Sequence, residues 1–93
     1  MLSEFLPGPF TNMVVKTGAG QFMSCHISGL TSGAVVSFYD GANGKLLWSS
    51  GPMLIANQQS NLPFYHAMNG IIFYHALIVS QSGPSCNVMV EYI

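Results

Sequence analysis

The residues able to do chemistry are few: His26, His66 and His75, Cys25 and Cys86, and the carboxylates Glu4, Asp40 and Glu91. Two of the histidines sit in a repeated tetrapeptide, FYHA, at 64–67 and again at 73–76, on either side of Asn69-Gly70. A metal needs three or four converging ligands. If Asn69-Gly70 makes a two-residue hairpin turn, Tyr65 faces Tyr74, Phe64 faces His75 and His66 faces Phe73. The histidines then share a face but lie diagonal to each other. No acid or cysteine is placed to complete a set, and His26 is the only spare imidazole. The repeat therefore reads as aromatic cross-strand pairing, and no metal is expected.

Catalysis finds little more. A pair of carboxylates for acid–base work would have to come from Glu4, Asp40 and Glu91, and Asp40 stands in a turn, where aspartate is common. No G-x-S-x-G or comparable nucleophile signature occurs. Gly18-Ala19-Gly20 lacks the lysine and the helix of a phosphate loop. The expectation is no enzyme and no cofactor. Cys25 and Cys86 form no C-x-x-C and no Cys/His metal spacing. Joined, they would close a loop of about 60 residues, worth roughly 4 kcal/mol; reduced, they would be small buried hydrophobes. Trp48, with Tyr39, Tyr65 and Tyr74, has two readings: a platform on which a sugar ring stacks, or an anchor in the core or an interface.

The elements that must position these side chains are short strands. Turn signals recur about every ten residues, at Pro7-Gly8-Pro9, Gly18-Ala19-Gly20, Thr31-Ser32-Gly33, Asp40-Gly41 with Asn43-Gly44, Gly51-Pro52, Asn69-Gly70 and Ser82-Gly83-Pro84. Between them lie runs rich in Val, Ile, Phe and Tyr, and no stretch keeps a helical period. Strands are expected near Phe10–Lys16, Gln21–Ser28, Ala34–Asp40, Lys45–Ser50, Leu62–Ala67, Ile72–Ser80 and Cys86–Tyr92, with Met53–Ala56 either a short eighth strand or part of the connection between sheets. In the second, Met23, Cys25 and Ile27 should share one face and Phe22, Ser24 and His26 the other. In the last, Val88, Val90 and Tyr92 should oppose Asn87, Met89 and Glu91. The fold class is all-β: a single antiparallel, jelly-roll-like β-sandwich of seven to eight strands over residues 12–93. Residues 1–11 read as an extended N-terminal arm, because three Pro/Gly positions interrupt them. The arm's Leu2, Phe5, Leu6 and Phe10 would cover either their own domain or a neighbouring subunit.

Charge narrows the partners. Only Glu4, Lys16, Asp40, Lys45 and Glu91 are ionised at neutral pH, 5% of 93 residues with a net charge of −1, where about 25% is ordinary. Two lysines without an arginine cannot neutralise a phosphate backbone, which excludes nucleic acid. No apolar run approaches the roughly 18 residues of a spanning helix. The start, MLSEFLPGPF, has neither a basic region nor a long apolar core, so the expectation is a chain kept in the cytoplasm of the cell that makes it until release. A surface this neutral lacks the repulsion that keeps small monomers apart. It suits a protein that works assembled.

VVKTGAGQFMSCHISG (14–29), AVVSFYDGANGKLLW (34–48), LPFYHAMNGIIF (62–73) and ALIVSQSGPSCNVMVEYI (76–93) together resemble small tailed-phage virion proteins. The shared pattern is K-T-G-A-G, a strand ending in Gly, a Y-D-G strand, a G-φ-x-F segment (φ apolar) and a closing strand that ends near Tyr. The resemblance implies a β-sandwich used as a head decoration (cement) protein on the outer surface of the phage head, or as part of a fibre or spike. It implies the major capsid protein and other copies of itself as partners, a homotrimer first and a dimer second. Contacts would then run through Leu2, Phe5, Leu6 and Phe10. His75-Ala76-Leu77 stands where such sequences often read small-Gly-Leu, and the region 52–61 has no counterpart. A glycan-binding sandwich that uses Trp48 is the alternative from another class.

Overall fold

A computed structural model describes residues 2–28, 33–51, 64–84 and 86–93, with backbone alone for 64–69. Eight strands form two antiparallel sheets. They are β1 (Leu2–Leu6), β2 (Met13–Thr17), β3 (Gly20–Ser28), β4 (Val35–Asp40), β5 (Lys45–Ser49), β6 (Phe64–Phe73), β7 (Ala76–Ser82) and β8 (Asn87–Tyr92). The first sheet runs β1-β8-β3-β6 and the second β2-β7-β4-β5. The first strand thus pairs with the last, the second with the seventh, and so on inward to β4 with β5. This is a long hairpin rolled over on itself, the jelly-roll form of a β-sandwich. The strand expected at Met53–Ala56 lies outside the described residues.

One face of each strand builds the core. Val88, Val90 and Tyr92 of β8 are buried while Met89 is exposed, as a period of two requires. Phe22 of the first sheet meets Phe38 of the second with ring centroids 4.2 Å apart, and the Trp48 ring lies 6.3 Å from that of Phe38. Phe22 was expected to face away from Cys25 and Ile27, yet all three are fully buried. A bulge at Met23 is the cause: the register of β3 against both neighbours jumps between Phe22 and Ser24. The extra residue turns the strand so that Phe22 rejoins the inner face.

The N-terminal segment also departs from expectation. Residues 2–6 are not a separate arm but strand β1, paired along its length with β8 from Leu2↔Tyr92 to Leu6↔Val88. The Pro-Gly-Pro triplet begins only at residue 7, so it ends the strand instead of preventing it. Leu6 and Phe10 are core residues, and the Phe10 carbonyl accepts the Gln81 N–H.

Asn69-Gly70 is not a hairpin turn. β6 runs straight through it as a ten-residue strand. Opposite it, the register on β3 passes from Phe22↔Ile71 to Ser24↔Ala67, so residues 68–70 face Met23 alone. Gly70, at φ 76°, supplies the left-handed residue that such a bulge needs. The chain reverses later, at Tyr74-His75. The two FYHA copies are therefore not equivalent: one lies within β6, the other straddles the turn into β7.

Gly20 opens β3 where space is tight. A methyl group there would run into the Ile93 carbonyl and the Phe73 ring. The same carbonyl accepts the Gln21 N–H. Gly20→Ala is expected to cost about 1–3 kcal/mol through overpacking, measurable by urea denaturation. Ala19→Ser, at the exposed neighbour, should change stability by less than about 0.5 kcal/mol.

Candidate contact surface

The groups capable of chemistry are dispersed. His26 lies on the outer face of the first sheet, His75 in the β6–β7 turn, and His66 occupies the β6 rung beside Cys25. The side chains of Tyr65 and His66 lie outside the described residues. Among the described residues no three His, Cys, Asp or Glu side chains come together as a metal would require. Cys25 and Cys86 are free and buried. Burial pushes the Cys25 thiol up to about 12, and raises Cys86 against a partly offsetting hydrogen bond from Gln81 Nε2. A thiol held that far above neutrality stays protonated at pH 7.

Two of the three carboxylates, Asp40 and Glu91, hold structure. Asp40 ends β4 and is buried, yet it does not serve its own turn. Its Oδ2 accepts the Tyr74 N–H at 2.9 Å, and its Oδ1 accepts those of His75 at 2.8 Å and Ala76 at 3.4 Å. Burial pushes this carboxyl up, but the three N–H groups, helped by the nearby His75, outweigh it and hold the acid below its ordinary value. Asp40 fastens the β6–β7 turn. Glu91, on the outer face of β8, accepts a hydrogen bond from the buried Ser24 hydroxyl and stands 3.9 Å from His26 Nε2.

Exposed apolar side chains are what remains. Of the expected contact residues, Leu6 and Phe10 are in the core, while Leu2 and Phe5 are 59% and 58% exposed. Phe5 sits opposite Met89 on β8, which is itself opposite His26 on β3. Paired residues point to the same side of a sheet, so Phe5, Met89 and His26 make a row across the outer face of the first sheet. Trp48 is partly buried and packs against the core, which suits an anchor better than a sugar platform.

A second row was not foreseen. Val14, Ile78, Tyr39 and Leu46 are register partners across all four strands of the second sheet. They lie on its outer face, because their neighbours Val79 and Phe38 point into the core. Val14 and Leu46 are each 50% exposed, and Ile78 is buried between its neighbours. Two bulges align the row, one at Val15 of β2 and one at Leu47 of β5. Without the pairing partners, nothing in the spacing of these four residues links them.

No family model, curated protein or solved structure matches the chain.

Proposed function

We propose that this chain is a capsid decoration (cement) protein: a non-catalytic jelly-roll subunit that binds the outer surface of a phage head and stabilises it by added contact area. The observation that carries this reading is the disposition of charge against exposed apolar surface. Of five ionised side chains, Asp40 is consumed by a turn and Glu91 is engaged with Ser24 and His26. Phe5 and Met89 stand exposed on one rung of the first sheet, with Leu2 exposed at the β1 edge. Such a face gains by being covered with protein, and it offers nothing to an anionic polymer.

The mechanism is avidity. Each copy buries a modest area, and copies arranged on a lattice with neighbouring copies engaged add their contributions. The partners are the major capsid protein and the chain itself, as a homo-oligomer; no cofactor takes part. The protein would be made in the host cytoplasm and reside on the virion.

The test is re-binding to capsids stripped of this protein. The wild-type chain should bind at a fixed ratio and restore heat and osmotic resistance. Phe5→Ser should keep the fold and weaken re-binding by about tenfold or more, as loss of a buried aromatic anchor does. Capsids equally robust with and without the protein would remove the proposal.

A further inference from the structure

The four sheet edges are not treated alike. β1, β2, β5 and β6 are the outermost strands. The first three are each five residues long. Each also carries one charged residue: Glu4, Lys16 and Lys45 respectively. β2 and β5 have a bulge as well. Short length, a charge and a bulge are the devices by which native sheets prevent edge-to-edge pairing. Three of the chain's five charges therefore stand one on each of three edges. β6 differs: it has ten residues, FYHAMNGIIF, with no charge and no proline. Among the described residues no strand lies beyond it.

We infer that β6 is a pairing edge, and that its partner is β6 of a second copy of this chain, antiparallel about a two-fold axis. The pairing would join two four-stranded sheets into one of eight strands. Charge selects the partner. An uncharged edge gives a charged segment no favourable contact, whereas two identical neutral strands approach without repulsion. An antiparallel strand is also its own complement, as an isologous interface requires. With the strands fully overlapped, the bulge at 68–70 lies near the axis. Residues 64–66 of one copy then face 71–73 of the other, and Ile72 stands opposite Tyr65 of the second copy.

The size of the contact sets its strength. A strip about 33 Å long and about 10 Å deep buries on the order of 700 Å² in total, below a standard interface. The dimer is accordingly weak, with a Kd on the order of 10–100 µM, and a two-fold edge pairing yields a dimer in preference to a trimer.

Sedimentation equilibrium up to about 1 mM chain tests this with two double variants. Tyr65→Lys with Ile72→Lys places lysine opposite lysine twice, and should raise the Kd about tenfold. Tyr65→Glu with Ile72→Lys places opposite charges at the same two positions, and should hold the dimer at wild-type strength or better. Circular dichroism establishes that each variant is folded, and if the double lysine fails to fold, Tyr65→Glu with Ile72→Glu, which places glutamate opposite glutamate twice, takes its place with the same expected weakening. A chain monomeric throughout the range, a trimer, or a dimer indifferent to both doubles would overturn the inference. It stands apart from capsid binding: a chain that dimerises this way yet ignores stripped capsids supports the β6 pairing and removes only the decoration reading.

Discussion

Replacing Asp40 by alanine should lower stability by about 2–4 kcal/mol, the largest effect expected of a polar substitution among the described residues. Three backbone N–H groups, from Tyr74, His75 and Ala76, lose a charged acceptor at once. Hydrogen bonds to an ionised partner are worth more than neutral ones, and donors left unpaired add their own cost. For a domain of this size the loss corresponds to a fall in Tm of about 10–25 °C. The effect has a pH signature. The folded-state value of Asp40 is depressed, so its contribution is fully present above the unfolded value of about 3.9 and disappears as the pH falls through the lower folded value. Asp40→Asn keeps the shape and loses the charge. Its denaturation free energy should therefore fall less steeply below about pH 4 than that of the wild type. Equal pH slopes for the two proteins would show that Asp40 does not hold the turn as a carboxylate.

Phe10→Ala should cost about 3–5 kcal/mol and Leu6→Ala about 2–4 kcal/mol, because both side chains lie in the core and each truncation leaves a cavity. Leu2→Ser and Phe5→Ser, at exposed positions in the same segment, should each cost less than about 1 kcal/mol. Urea denaturation of the four variants separates the roles that a shared apolar character conceals. If the segment were a detached arm, all four would be neutral in the isolated protein. Phe5→Ser is then the useful variant for binding work, since its fold is preserved while the row it forms with Met89 is interrupted.

The regular strands were legible because period two is a local property. Val88, Val90 and Tyr92 announce their common face without reference to any neighbour. The turns at Gly18–Gly20 and Asp40–Gly44 were equally plain, since Gly and Asn mark backbone that other residues avoid. Alternation misleads wherever a bulge breaks it. Met23 displaces Phe22 to the other face of β3, and Asn69-Gly70 has the composition of a hairpin turn while serving as a mid-strand bulge. Both the two-residue turn and the bulge ask for a residue at positive φ, so composition cannot tell them apart; the strand lying opposite does.

The sequence by itself determined an all-β sandwich and a chain with few charged residues. Those follow from local propensity and from composition, which need no partner. Only the tertiary structure decided that Asp40 serves a turn 34 residues away, that Leu6 and Phe10 belong to the core, that Val14, Ile78, Tyr39 and Leu46 form one row, and that β6 is, among the described residues, the one outermost strand without a charge. Each of these depends on which strands are neighbours and in what register. Register is set by long-range pairing and burial, and a change of one residue reverses every side chain on a strand.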